Sequence, residues 1–189
     1  MRHRSDLEKW LGRYDLAIDK IQDVDLRCCY MQQRPNNPFD SILREHEGSV
    51  DSHLLNSPHY ELAQICMDQG IAKAKEVFHL TKYYRMGKML GKSGFPGKID
   101  DLIKSLSRGY LSHKHKWAYI VILNESFARS RYNRDVPNLG PEIWSGHHRG
   151  GILLAMEKYI VPVVVAKDMK PGRCKSAGKI HNLCVEINQ

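Results

Sequence analysis

The tetrapeptide Gly-His-His-Arg at residues 146–149 combines groups that bind anions with groups that transfer protons. Glycine permits a tight turn with close approach of the backbone to a ligand, and arginine donates a forked, charge-assisted contact to phosphate. Histidine titrates near physiological pH and can donate or accept a proton. If a helix begins here, its first N–H groups and the positive end of its dipole also favour an anion. The candidate ligand-binding residues are Ser145, Gly146, His147, His148 and Arg149.

The same turn has other interpretations, namely an acid/base pair, a metal site, or a polar helix entrance that binds no ligand. Adjacent histidines point in different directions and rarely bind one ion, and neither His-x-x-x-His nor Cys-x-x-Cys stands nearby. No metal site is therefore predicted. The candidate catalytic residues are His147 and His148, which could transfer protons, and Glu142.

Phosphoryl transfer depends mostly on positioning and charge neutralisation, and it commonly uses Mg²⁺ held by a carboxylate. The candidate carboxylates are Glu125, Asp135 and Glu142, each of which could equally be an ordinary surface group. The polar segment 51–60 contains His53 and His59, either of which could line the pocket. A loop followed by a helix cap explains the same polar pattern.

The elements that must position the turn are predicted in the C-terminal third of the chain. The apolar, β-branched runs at residues 117–123 and 162–166 are typical of buried strands. Between them the sequence predicts a polar loop over 124–140, a short strand over 141–144 and a helix over about 149–158. The resulting order of strand, loop, strand, helix and strand indicates an α/β or α+β core.

Hydrophobic spacing in the first half of the chain predicts mainly helices. Ser57 followed by Pro58 is a good N-cap and first-turn pair, and Gly70 is expected to end that helix. The other predicted elements are a helix over 5–22, a short strand within 24–31, a helical run over 71–90 and a short helix over 99–106.

The 189 residues suit a single domain that buries a sizeable core. We expect a mostly helical part over residues 1–110, packed on a core over residues 111–189 that carries the turn, together forming one compact domain. No internal repeat or low-complexity segment is evident in the sequence.

Residues 87–93, GKMLGKS, imitate a phosphate-binding P-loop but have the wrong spacing. The P-loop requires four residues between its glycines, whereas three separate Gly87 from Gly91. A helical run precedes the segment and a Gly-Phe-Pro-Gly turn follows it, which a P-loop does not allow. A basic surface turn is the better interpretation.

The net charge of +8 and the pI of about 9.3 indicate an anionic partner, such as nucleic acid, a nucleotide or a phosphorylated small molecule. Basic residues concentrate between Lys73 and Lys104. A second group surrounds Tyr132 and would suit phosphates or a single strand with base stacking, although a solvated loop is equally consistent. The candidate nucleic-acid contacts are Arg129, Arg131 and Arg134.

Composition points to an ordinary globular protein, with 42% apolar and 26% charged residues. No apolar stretch approaches the roughly 18 residues of a membrane helix, and the start of the chain lacks a signal-type region. We therefore expect a cytoplasmic protein without membrane contact. The five cysteines are odd in number and irregular in spacing, which favours reduced thiols over a disulfide framework.

Ser145-Gly146-His147-His148-Arg149, the following helix and the strand Tyr159-Ile160-Val161-Pro162-Val163 together resemble the signature of the ParB/sulfiredoxin superfamily. In that family a strand leads to Gly-x-x-Arg, a helix follows and a "VPVxV" strand returns. The resemblance covers residues 117–168 and implies that Gly146 forms the turn and Arg149 contacts phosphate. Its members bind ATP or another nucleotide at this turn, or bind DNA.

The sequence departs from the pattern of known family members in three ways, and each departure narrows the function that the resemblance implies. Sulfiredoxins carry their reactive cysteine at the position of His147, so sulfinic acid reduction is disfavoured. The free-serine kinases resemble this chain in Gly-His-His-Arg but have aspartate where Ser145 stands, which removes a candidate base. Partition proteins have Gly-Glu-Arg-Arg and a helix-turn-helix domain after the core, and too few residues follow Asp168 to form one.

The residues and the resemblance together predict an ATP-binding enzyme that hydrolyses or transfers a phosphoryl group, with Mg²⁺ as companion of the nucleotide. The N-terminal helices would cover the site and select the acceptor. Two alternatives stay open. One is a nucleic-acid-binding or nuclease module similar to plasmid partition or fertility-inhibition proteins, and the other is a non-catalytic partner-binding protein that kept the fold.

Overall fold

The computed structural model describes residues 2–31, 44–46, 49–50, 53–92, 94–109, 119–123 and 141–169. Within these ranges the protein is an α+β fold with five helices and a five-stranded mixed sheet. The helices are α1 (Arg2–Gly12), α2 (Pro58–Val77), α3 (Lys82–Met89), α4 (Ile99–Arg108) and α5 (His147–Ala155). The strands are β1 (Leu16–Asp25), β2 (Tyr30–Met31), β3 (Arg44–His46), β4 (Ser49–Val50), β5 (Val121–Leu123), β6 (Glu142–Ser145) and β7 (Ile160–Asp168).

The large sheet has the strand order β1-β7-β5-β6-β2. The pairs β1/β7 and β5/β6 are antiparallel, whereas β5/β7 and β2/β6 are parallel. Strands β3 and β4 form a separate antiparallel pair. The centre of the sheet therefore comes from strands late in the chain, and its two edges come from β1 and β2 near the N-terminus.

Alternating side chains divide the core between the two faces of the sheet. On β7, Val163 and Val165 face the cluster that includes α2 and α5, whereas Val164 and Ala166 face α1. The α1 side is closed by Trp10, whose ring centroid lies 5.0 Å from that of Trp144 on β6. Because both faces are covered, the central strands are apolar throughout, as the continuous hydrophobic runs predicted.

The elements around the candidate site follow the sequence prediction closely. Ser57 caps α2, since its hydroxyl accepts a hydrogen bond from the Tyr60 N–H at 3.1 Å. Gly70 interrupts α2 with φ of 81°, a left-handed conformation, and a second helical segment continues beyond it. The predicted short helix is α4, and the predicted order of strand, strand, helix and strand is realised by β5, β6, α5 and β7.

The predicted helix over 5–22 is wrong beyond Gly12. The chain turns at residues 13–15, where Asp15 has φ of 56°, and then enters β1, which pairs with β7 over its whole length. The helical spacing of Tyr14 and Ile18 is real, but pairing with an open edge of the apolar sheet outweighs local periodicity here.

The predicted strand within 24–31 is correct only in part. β1 ends at Asp25, whose carboxylate accepts a hydrogen bond from the Arg27 N–H at 2.9 Å and starts a short 3-10 helix, Leu26–Cys28. Only Tyr30–Met31 then forms a strand, β2. Strands β1 and β2 both lie within residues 1–110, so the sheet joins strands from both parts of the predicted division at residue 110.

The predicted helical run over 71–90 consists of three pieces. α2 continues to Val77, the 3-10 helix Phe78–Leu80 follows, and α3 extends to Met89. Gly87 lies inside α3, so the P-loop-like segment begins within a helix. Among the described cysteines, Cys28, Cys29 and Cys66 are free thiols.

Candidate functional site

The turn between β6 and α5 requires glycine. Gly146 has φ of 96° and ψ of 22°, which is left-handed backbone that other residues rarely adopt. A side chain at this position would also place its Cβ 3.1 Å from the Ile120 Cα. The predicted turn is therefore confirmed, and α5 begins at His147, two residues earlier than the sequence indicated.

The first turn of α5 presents the positive end of the helix dipole. Its regular ladder starts with the Gly150 N–H, which donates to the Gly146 carbonyl at 2.8 Å. The preceding N–H groups have no acceptor within the helix. The first turn contains Arg149 and no acidic residue, so positive charge reinforces the dipole rather than cancelling it.

The beginning of α2 packs directly against α5. A Cβ at Gly151 would lie 2.8 Å from the carbonyl carbon and oxygen of His59. A Cβ at Gly150 would lie 3.0 Å from Leu54 Cδ2, just before α2. The two glycines therefore let the N-terminal parts of the two helices approach to backbone contact, and this approach brings His59 to the turn.

Three histidines and a tyrosine from three helices meet at this place. The His59 ring stacks on His147 with centroids 5.3 Å apart, and it meets His148 edge to face at 4.7 Å. From α3, the Tyr83 hydroxyl lies 2.7 Å from His148 Nε2, within hydrogen-bond distance. The Tyr83 ring also contacts His59, at 5.3 Å. We call His59, Tyr83, His147 and His148 the histidine cluster.

Burial keeps two of these imidazoles neutral. Burial, with smaller contributions from His147 and Arg149, lowers the pKa of His148 to about 4. Burial also lowers the pKa of His59 well below its usual range, with smaller contributions from His148 and His147. At neutral pH both rings therefore carry one N–H donor and one acceptor nitrogen.

His59 is nine-tenths buried, with 9% of its surface exposed. Its Nδ1 has no hydrogen-bond partner among the residues that the structure describes. A buried ring nitrogen without a partner costs free energy unless a ligand or water satisfies it. The His59 ring lies beside the first turn of α5, where it contacts His147 and His148.

Not all of the sequence-predicted site residues come together. Ser145 is buried at the end of β6, next to the turn. Glu142 begins the same strand, about 10 Å away by the rise of a strand, and it pairs with Leu123, whose side chain belongs to the α1 side of the sheet. The geometry therefore separates Glu142 from the histidine cluster. His53 lies against Tyr30, with ring centroids 4.1 Å apart.

Several candidate residues lie outside the described ranges. These are Glu125, Arg129, Arg131, Arg134 and Asp135. Tyr83, in contrast, is a site residue that the sequence analysis missed. Its only sequence signal was its position in an amphipathic helix, because its contact with His148 joins residues 65 positions apart in the chain.

The donor set at the turn is poor in oxygen ligands. It consists of imidazoles, a phenol and a guanidinium, whereas Mg²⁺ prefers carboxylate and phosphate oxygens. Across the described ranges, no group of three or more His, Cys, Asp or Glu side chains is arranged to hold a metal ion. The described residues at the turn therefore do not fit a protein-held Mg²⁺.

Comparison with known proteins gives no relative for this chain. No protein-family model, curated protein or solved structure matches it significantly. None of the helices in the described ranges is long and apolar enough to cross a membrane.

Proposed function

We propose that the chain is a nucleotide-binding enzyme of the ParB/sulfiredoxin-like type, which binds ATP or a related nucleotide at Gly146–Arg149 and hydrolyses or transfers a phosphoryl group. One observation carries the proposal: the histidine cluster gathers on the first turn of α5, which also carries Arg149. Groups that neutralise phosphate and groups that move protons thus stand at one place.

Phosphate binding is assigned to the turn and its arginine. The left-handed Gly146 lets the backbone approach a phosphate closely, and the start of α5 supplies N–H donors and a positive dipole. Arg149 adds a charge-assisted, forked contact. The positive charge of Arg149 also lowers the pKa of His148, after burial and His147.

Proton transfer is assigned to His147 and His148. In hydrolysis, one imidazole accepts a proton from water as its oxygen bonds to the terminal phosphorus, and the bond from phosphorus to the leaving nucleotide oxygen breaks. The Tyr83 hydroxyl orients the His148 ring. Because Glu142 pairs on the α1 side of the sheet, we assign it no role in this step. Mg²⁺ remains a predicted companion of the nucleotide, and no step is assigned to it.

A thermal-shift titration with ATP and ADP, each with and without Mg²⁺, tests the proposal. A ligand at about 100 times its Kd stabilises a protein by roughly 2.7 kcal/mol, which raises Tm by several degrees. We expect this rise in the wild-type protein and its loss in Arg149→Ala. Arg108→Ala, an exposed arginine at the end of α4, is the matched control and should keep the rise.

Two results would overturn the proposal. A wild-type protein that shows no shift with either nucleotide lacks the binding site. A shift that persists unchanged in Arg149→Ala places the nucleotide elsewhere. If binding is confirmed, release of phosphate from ATP, and its reduction in His147→Gln and His148→Gln, separates an enzyme from a non-catalytic binding protein.

A further inference from the structure

The exposed charged side chains of α3 are all positive. Residues 82–98 contain no aspartate or glutamate. Arg85 and Lys88 are exposed and three positions apart, so their side chains are neighbours on the helix surface. Exposed Lys92 lies three positions after the end of α3 at Met89. Exposed Lys75, on the second segment of α2, extends the same charge. Such a surface favours the binding of a polyanion.

Partly exposed aromatic rings lie between these cations. The Lys75 ammonium is 5.8 Å from the centre of the Phe95 ring, and the Lys88 ammonium is 5.9 Å from that of Tyr84. Both rings pack on buried Phe78, with centroids 5.2 Å and 5.6 Å away. Phe78 therefore fixes the two rings in place. We call Lys75, Tyr84, Arg85, Lys88, Lys92 and Phe95 the α3 basic surface.

We propose that the α3 basic surface binds single-stranded nucleic acid. Each nucleotide of a single strand offers a phosphate to the cations and a base face to an aromatic ring, and this surface interleaves the two kinds of group. A duplex hides its base faces inside the stack, so it would engage the charges alone. A membrane surface likewise engages the cations through its anionic headgroups and has no planar group to stack on the rings.

The α3 basic surface and the histidine cluster are separated by α3. Tyr83 occupies the buried side of α3, where its hydroxyl meets His148, and its ring is 6.1 Å from Phe78. Tyr83 thus contacts both the turn and Phe78, the ring on which Tyr84 and Phe95 pack. The inference does not depend on the proposed nucleotide chemistry, because it uses none of the residues assigned to the nucleotide site.

Fluorescence anisotropy with a labelled oligothymidylate, at several salt concentrations, tests the inference with the full chain. We expect saturable binding that weakens as salt rises. In the double variant Arg85→Ala/Lys88→Ala, the slope of log K against log salt should become shallower by about 1.4, since two phosphate contacts are lost from a single strand. Tyr84→Leu should weaken binding about fivefold or more without changing that slope.

The control variant is Lys73→Ala/Lys104→Ala. It also removes two exposed lysines, but these are paired with Glu76 and Asp100 and lie outside the α3 basic surface. It should leave affinity and slope close to wild type. Arg149→Ala should also bind oligothymidylate normally, which separates this test from that of the nucleotide site. Tyr84→Phe keeps the ring and should bind normally, and thermal unfolding verifies that each variant is folded.

Three outcomes would overturn the inference. The first is the absence of binding to oligothymidylate. The second is equal binding of a duplex of the same length with no effect of Tyr84→Leu, which would reduce the surface to a general counterion effect. The third is binding only to vesicles of phosphatidylcholine with phosphatidylserine, which would make it a membrane contact.

Discussion

The Tyr83 hydroxyl oxygen lies 2.7 Å from His148 Nε2, and this contact joins α3 to the first turn of α5 across 65 positions of sequence. Because the pKa of His148 is lowered to about 4, the Tyr83 hydroxyl contacts a neutral imidazole at physiological pH. The contact therefore positions the imidazole without supplying or removing charge.

Tyr83→Phe should destabilise the protein by about 1–3 kcal/mol. The substitution keeps the ring but leaves His148 Nε2 without this partner in a part-buried position. Urea denaturation measures the change. Tyr84→Phe is the matched control at the neighbouring position, since the Tyr84 hydroxyl makes no hydrogen bond within the described ranges, and it should change stability by less than about 0.5 kcal/mol. Equal losses in the two variants would contradict a specific role for the Tyr83 hydroxyl.

Gly151→Ala should be far more costly than Gly150→Ala. At residue 151 the new Cβ would meet the His59 backbone at 2.8 Å, and backbone cannot move aside cheaply. At residue 150 it would meet the flexible end of Leu54 at 3.0 Å. We expect a loss of about 2–3 kcal/mol for Gly151→Ala. For Gly150→Ala the gain in helix propensity, about 1 kcal/mol, should largely offset the contact.

The two glycine variants also differ in their expected effect on ligand binding. Displacing α2 moves His59 away from the turn, so Gly151→Ala should weaken nucleotide-induced stabilisation as well as lowering Tm. Gly150→Ala should keep that stabilisation. A Gly151→Ala protein with wild-type stability would show that the two helices do not meet through backbone contact.

Gly146→Ala should destabilise the protein by about 2 kcal/mol, because alanine is strained at φ of 96° and its Cβ would approach the Ile120 Cα to 3.1 Å. Thermal unfolding measures the loss. Gly12→Ala is the control, since a Cβ there has nothing within 4 Å and the backbone is not left-handed. A neutral Gly146→Ala would mean that the turn adopts another conformation.

Stability should fall as the pH is lowered from about 6.5 to about 4. The unfolded chain protonates His148 near the ordinary pKa of 6.5, whereas the folded protein resists protonation until about 4. The unfolded state then binds more protons, so each unit of pH in this window costs about 1.4 kcal/mol. Below about 4 this contribution changes no further. The lowered pKa of His59 acts in the same direction.

Urea denaturation at several pH values measures this dependence. His148→Gln removes the titrating ring but retains a hydrogen-bonding group, and its stability should fall less steeply with acid. His79→Gln alters an exposed histidine and should keep the wild-type slope. If His148→Gln and the wild type lose stability at the same rate, His148 is not buried as described.

The C-terminal elements could be predicted because local and tertiary signals agree there. A continuous apolar run can be buried on both sides only in a strand whose sheet is covered on both faces. Gly146 marks a turn whose backbone conformation other residues rarely adopt. The N-terminal strand β1 could not be predicted, because its residues have helical spacing and its partner, β7, begins 135 positions after Asp25. Local periodicity carries no information about that partner.

Only the parts of the candidate site that lie close together in the sequence could be predicted. The tetrapeptide at 146–149 showed where an anion could bind, and the Ser57-Pro58 cap correctly located the start of α2. The sequence analysis expected N-terminal helices over the site and named His59 as a possible pocket residue, but it did not show how α2 and α3 converge on the turn. That convergence depends on close packing at Gly151 and on one long-range hydrogen bond to Tyr83, neither of which has a local signature.

The position of β1 at the edge of the sheet has a consequence for synthesis. Its strand neighbour in the described sheet, β7, leaves the ribosome last among the described strands, so at about 5–20 residues per second β1 waits on the order of ten seconds without it. Such a strand is open to pairing with another nascent chain. The charged side chains of Asp19, Lys20 and Asp23 discourage that encounter until translation delivers β7.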